Sequence, residues 1–295
     1  MIDEVKQGVN ATNQTITDIF ERYIELRSPL LSESWSYNMK KTYNKHLKPV
    51  IGKFTPKMVE ANEIQIVMNS MIESGYAVST VKQIKDCISG LYSHMMPKEE
   101  NIGADLIVPK FDNKRYFTIS DEDAKNLYNI IINYPAEKWR IYFSFILHGR
   151  RKTEVAKLEW KHINLDRNTY EVIAENSKTN KYISAPILPF LREMLEEYSE
   201  EKEGFVFKGK NGGHVSSTGI DFQWRNIKSR AGLPDMRLHD MRHLIGHLAI
   251  SNGISLEQIG NVLGHSSSIT TKRYSTIREE SAREVLDAVL GKLSK

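Results

Sequence analysis

Between Pro97 and Tyr116 the apolar periodicity found on either side disappears, and the sequence reads PKEENIGADLIVPKFDNKRY. A single core needs apolar positions that recur at a helical or strand period. A polar stretch of this length is therefore where a chain of 295 residues parts into two domains. Before the break, apolar residues recur at three- and four-residue steps. Ile16, Ile19, Phe20, Tyr23 and Ile24 share one face of a helix expected over 15–26. Further helices are expected over 34–47, stopped by Pro49 and Gly52, over 60–74, and over 79–95, where Val81, Ile84, Ile88 and Leu91 stack. After the break, Ser120 with Asp123 reads as a capping box that opens a helix, and helices run to about Trp160. Two strands are expected over 170–175 and 182–187, paired across the turn-rich Asn176-Ser177-Lys178-Thr179-Asn180. Helices return after Phe207, including 238–252, ended by Gly253, and 255–263, ended by Gly264. The fold class expected is mainly α with a small antiparallel β-sheet.

Charge narrows the partner. The net charge of +4 is modest, but its distribution is one-sided: no acidic residue lies between Glu33 and Glu60, while Lys40, Lys41, Lys45, Lys48, Lys53 and Lys57 all do. A solvated helix face mixes signs, so a one-signed block points to a polyanion, most often nucleic acid. No run of eighteen apolar residues implies a membrane span, and the polar start MIDEVKQGVNATNQ lacks the apolar core of a signal peptide. The single cysteine, Cys87, cannot form an internal disulfide and reads as a reduced, half-buried thiol, which fits a cytoplasmic protein.

Four positions carry candidate chemistry. An apolar run from Trp139 to Leu147 breaks at His148-Gly149 into Arg150-Arg151-Lys152-Thr153-Glu154, so that a guanidinium is aimed from a buried scaffold. Lys178 sits in the tight turn between the two expected strands. His239 and Arg242 are three residues apart and share a helix face. Finally, LGHSSSITTKRYS places His265 nine residues before Tyr274, which adjoins Lys272 and Arg273. Each also has an ordinary reading, as a surface ion-pair partner, a solvated turn lysine or an exposed tyrosine. His239, His243 and His247, four apart on one face, are the pattern of a metal site, but the Glu of an HExxH helix is missing and Arg242 would repel a dication. Taken together, two arginines, a lysine and two histidines suit a tetrahedral anion such as phosphate, and a tyrosine beside them supplies a nucleophile.

With these motifs, HGRRKTE at 148–154, NSKTNK, HDMRH at 239–243, LGH at 263–265 and Tyr274, the chain resembles the tyrosine recombinases, the phage-integrase family, along nearly its whole length. The resemblance implies a helical core-binding (SAM-like) domain over 13–98, a linker over 99–117, and an α+β catalytic domain with a C-terminal helix over 118–295. It implies that Arg151 and Arg242 grip the scissile phosphate and that Lys178 protonates the leaving 5′ oxygen. His239 would assist proton transfer at the tyrosine, His265 would donate to the phosphate, and Tyr274 would be the nucleophile. Glu154 matches a carboxylate that braces the site from behind. Arg150 stands where an apolar residue is usual and His148 where a small one is, so the choice of Arg151 over Arg150 rests on the spacing to Glu154. The six lysines are expected to meet DNA.

The first domain looks more like phage integrases than Xer proteins, although about fifteen residues precede its first helix, too few for an arm-site-binding domain. The expected function is site-specific recombination through a 3′-phosphotyrosyl intermediate that integrates or excises a mobile element, with no metal, ATP or other cofactor. The partners implied are a double-stranded recombination site, a homotetramer on paired sites that is monomeric free in solution, and room for DNA-bending accessory proteins. The apolar stripe Val285, Leu286, Val289, Leu290 and Leu293 would either fold back on its own domain or, as the resemblance implies, dock into a neighbouring subunit. Rival readings are a Xer-type resolvase of chromosome or plasmid dimers, a DNA-relaxing enzyme, a non-catalytic regulator with the same fold, and a metal-dependent nuclease.

Overall fold

The computed structural model describes residues 14–97, 99–111, 119–176, 182–199 and 201–264, which fall into two compact units divided between residues 115 and 116. In the first unit, α1 (Ile16–Arg27) starts at a capping box in which Thr15 and Asp18 satisfy each other's backbone amides. Ser32 caps α2 (Glu33–Thr42). Contrary to the expectation that Pro49 ends it, α2 passes through a π-helical turn, Tyr43–Leu47, into a last helical turn, Lys48–Ile51. Proline lacks an N–H, and its ring crowds the carbonyl four residues back. The wider turn, in which the Lys48 amide reaches the Tyr43 carbonyl, lets the chain pass it. Then follow α3 (Ala61–Glu73) and α4 (Val78–Met95).

The core of this unit is built from the periodic positions: Ile16, Leu47, Ile64, Met68, Ile84 and Ile88 are fully buried, and Phe20 stacks on Tyr43 at 3.8 Å. Cys87 is buried completely rather than half, and burial pushes its thiol up to about 12, so it is an inert packing residue. The stretch expected as linker packs against this unit as far as Val108. Leu106 is buried, Gln65 holds both the amide (2.8 Å) and the carbonyl (3.2 Å) of Ile107, and Lys85 donates to the Leu106 carbonyl at 2.6 Å. An extended chain can bury single apolar residues without any period, which is why the sequence pattern shows nothing here.

In the second unit, the Ser120 hydroxyl accepts from the Asp123 amide (3.0 Å) to cap α5 (Asp121–Ile132) and donates to the Asp123 carboxylate (2.7 Å). The central helix α6 (Glu137–Leu147) is buried from Ile141 to Ile146. Its rings meet edge to face with their neighbours, Tyr142 and Phe207 at 5.2 Å and Phe145 and Tyr170 at 5.0 Å. A short α7 (Lys152–Ala156) leads into a three-stranded antiparallel sheet of β1 (Ile163–Asn164), β2 (Thr169–Val172) and β3 (Ile183–Pro186), in that spatial order. Tyr170 pairs with Ala185 and Val172 with Ile183, in keeping with the expected alternation. The strands are shorter than expected because Ala174–Asn176 winds into a 3₁₀ turn, and β1 is too short to leave an alternating pattern. Helices α8 (Pro189–Glu197), α9 (Ser217–Arg230), α10 (Asp240–Ser251) and α11 (Leu256–Leu263) complete the unit. Among the described residues no helix is long and apolar enough to cross a membrane.

Candidate active site

The buried helix α6 ends at His148, and Gly149 turns the chain with φ +76°. That turn brings the backbone against α11, where a Cβ on residue 149 would strike the Leu263 side chain. Beyond it Arg151 stands at the head of α7, and Tyr142 ties this point to the core by donating to the Lys152 carbonyl at 2.8 Å. The Glu154 carboxylate accepts from the Arg151 amide (2.9 Å) with one oxygen and from its guanidinium (2.6 Å) with the other. The Glu154 side chain is wholly buried while Arg151 keeps 15% of its side chain exposed, so a hidden carboxylate orients a guanidinium whose tip stays reachable.

Arg242, on the first turn of α10, is 3% exposed. It donates to the Gly149 carbonyl at 2.5 Å and to the Leu263 carbonyl, which clamps it between the loop before Arg151 and the end of α11. His239 precedes α10 with its ring edge-on to His243 at 4.9 Å. Burial first, then His243 and the charges of Arg242 and Arg151, hold its pKa down to about 4, with Asp240 pulling the other way. Both guanidinium fields are felt at one imidazole, so the structure gathers Arg151, Arg242 and His239 in one place. That environment holds the imidazole in its uncharged form at neutral pH. Two fixed guanidinium groups beside it have the chemistry to hold an oxyanion with several equivalent oxygens.

Lys178, together with His265 and Tyr274, lies outside the described residues, as does the tail from 281 to 295. The chain leads up to them from the site, however. Gly264 adopts φ +63° at the end of α11, and a Cβ there would meet Ile183 of β3, the strand that follows Lys178 in sequence. The lysines Lys40, Lys41, Lys45, Lys48, Lys53 and Lys57 are all exposed on the first unit. They are not uniform: Lys45 donates to the Tyr76 hydroxyl at 3.0 Å, and Lys40 shares a hollow with Glu21 and Glu25. Among the described residues no cluster of three His, Cys, Asp or Glu side chains could hold a metal ion. Sequence reasoning gave no role to Arg150, which is 2% exposed and donates to the Val262 carbonyl. The available signal was the arginine doublet itself, a second cation where the spacing calls for one.

The sequence profile of the Phage integrase family matches residues 118–281. Among curated proteins, a "Tyrosine recombinase XerC-like" protein of Caldanaerobacter subterraneus subsp. tengcongensis is 21% identical over 270 residues, covering 75% of this chain and 68% of its own length. The "Integrase" of Salmonella phage P22 is 26% identical over 200 residues, 62% of this chain and 50% of that protein. Among solved structures, the Tn1549 transposon integrase in complex with a circular intermediate DNA covers 94% of this chain and 100% of its own, with a TM-score of 0.72 at 13% identity. A lambda integrase dimer bound to a COC′ core site covers 90% of this chain and 97% of its own, with a TM-score of 0.72 at 18% identity. At these identities the structural likeness speaks for the fold alone; in this chain a braced arginine, a His-x-x-Arg helix and a glycine-ended helix meet around one point. The profile match spans more than half of the chain and takes in the whole of that constellation, so the protein belongs to the phage integrase family of tyrosine recombinases.

Proposed function

We propose that this chain cuts and rejoins DNA strands at a specific site through a 3′-phosphotyrosyl intermediate on Tyr274, acting in the cytoplasm on the DNA of a mobile element. The observation that carries the reading is the convergence of Arg151 and Arg242 beside His239, with Glu154 bracing the first arginine and backbone carbonyls the second. In phosphoryl transfer, charge develops on the non-bridging oxygens, and prepositioned cations lower the barrier because they need no reorganisation as it does so. Arg151 and Arg242 grip those oxygens, and His239 takes up the proton as the Tyr274 oxygen attacks phosphorus. Lys178 gives a proton to the departing 5′ oxygen, and His265 donates to the phosphate. The bond energy stays in the phosphotyrosine, so a free 5′-hydroxyl of a partner strand can reverse the step without a cofactor.

The six exposed lysines of the first unit serve duplex phosphates. The solved integrase structures that share this fold include a lambda integrase tetramer bound to a Holliday junction, which supports assembly of this chain as a homotetramer on paired sites. The bacterial relatives named "Tyrosine recombinase XerC" favour a second reading, resolution of DNA dimers by the same chemistry. A site recovered by selection from a random duplex pool, nicked near its centre and incubated with the protein in EDTA, tests the first reading. A covalent adduct on a denaturing gel is expected, and Tyr274→Phe should bind the same duplex with unchanged affinity and form none. Adduct formed by the Phe variant would assign the nucleophile elsewhere.

A further inference from the structure

The last turn of α11 has its carbonyls fully assigned. A helix leaves its final four carbonyl groups without intrahelical donors. Here the Gly264 amide serves Gly260 and Asn261, Arg150 serves Val262, and Arg242 serves Leu263. Two guanidinium groups from two separate elements thus close the end of one eight-residue helix, where the negative end of the helix dipole favours cations. Gly149 lies close against Leu263, and Gly264 close against Ile183, so the same helix end is also wedged between the loop before Arg151 and the sheet.

Arg150 is a costly way to make one hydrogen bond. It is 2% exposed, and its Nε and second terminal nitrogen have no partner among the described residues. Burying an ion with so little compensation opposes folding, and an apolar side chain of the same size would be tolerated as well or better. Among the described residues its surroundings supply no further hydrogen bond. The neighbouring His148 packs its ring among Phe145, Tyr170 and Phe190, and neither ring nitrogen has a hydrogen-bond partner among the described residues. Of the buried carboxylates in this unit, Glu154 is engaged by Arg151 and Asp240 accepts from the Arg237 amide. The arginine at 150 is therefore explained by what it holds and not by stability.

We infer that Arg150 is a positioning residue: by closing the Val262 carbonyl beside Arg242, it fixes the Leu263-Gly264 turn and so the direction in which the chain leaves towards His265. The inference rests on the reading of His265 as a phosphate donor, and the test separates the two. Arg150→Met keeps the volume and removes every donor. It should melt at the same temperature or higher, bind the recombination site within about twofold, and form the covalent adduct about tenfold more slowly in a single turnover, as expected for one lost orienting hydrogen bond. Arg150→Lys, with one donor and the charge retained, should recover most of that rate.

In a His265→Ala background, Arg150→Met should cause no further slowing, since the two residues act as one unit. Equal slowing in both backgrounds, or no slowing by Arg150→Met alone, overturns the inference. If His265→Ala by itself forms adduct at the parental rate, the role given to His265 fails and takes this inference with it. Loss on His265→Ala with an undisturbed Arg150→Met would sink the positioning role alone.

Discussion

At the scale of single residues, the site is surrounded by ionisable groups whose charge is decided by burial. His148 ends the central helix with its ring stacked on Tyr170 at 6.2 Å and tilted against Phe190 at 5.9 Å. Burial first, and then the charge of Arg150, hold its pKa down to about 4. The unfolded chain takes up a proton on this histidine near its ordinary value of 6.5, while the folded protein does not until about pH 4. The contribution of His148 to stability is therefore present above pH 6.5 and is lost as the pH falls through that window. His148→Phe removes the titration and retains the ring packing. Its stabilising effect in urea unfolding should be larger at pH 5 than at pH 8 by about 1–2 kcal/mol. A gain that is the same at both pH values would show that His148 is not held neutral.

At the scale of elements, the two shortest helices do the positioning, and neither can stand on propensity alone. α11 has eight residues and depends on its ends: a capping box between Ser255 and Gln258 at the start, and Gly264 with the two arginines at the finish. Ser255→Ala should destabilise the second unit by about 1 kcal/mol and speed amide exchange across 256–263 ahead of the rest of that unit. Ser251→Ala is the control, since that hydroxyl only returns to the His247 carbonyl (3.1 Å) within its own helix, and it should be neutral within about 0.5 kcal/mol. Comparable exchange in the two variants would mean that tertiary contacts, and not the cap, hold α11.

At the scale of the molecule, each unit carries its own buried core, which is the condition for folding independently. The boundary of the first is set by packing and not by the loss of periodicity. Leu106 is buried in that core, with Ile102 and Val108 against it. A fragment of residues 14–111 should unfold cooperatively on its own and be more stable than 14–98 by about 2–4 kcal/mol, the gain expected from burying one leucine fully and two more side chains in part. Equal stability of the two fragments would return 99–111 to the status of a linker.

The periodic helices 15–26, 60–74 and 79–95 were legible because each repeats its apolar positions on one face, and the motif residues were legible because their types and spacings suit one anion. Arg151 could be chosen over Arg150 from its distance to Glu154 along the chain, and the ion pair between them follows that spacing. Sequence alone therefore determined the periodic helices, the presence of two units and the pairing of Arg151 with Glu154, all of which depend on near neighbours. Tertiary structure decided what depends on groups far apart in sequence. The passage of α2 beyond Pro49 needed a wider turn packed against α1, and the burial of Leu106 needed a surface some forty residues earlier, at Gln65. The use of Arg150 required the end of a helix 112 residues later to arrive with a carbonyl still unpaired. No local pattern encodes such a meeting, because the energy that selects it comes from burying polar groups only where their partners are already in place.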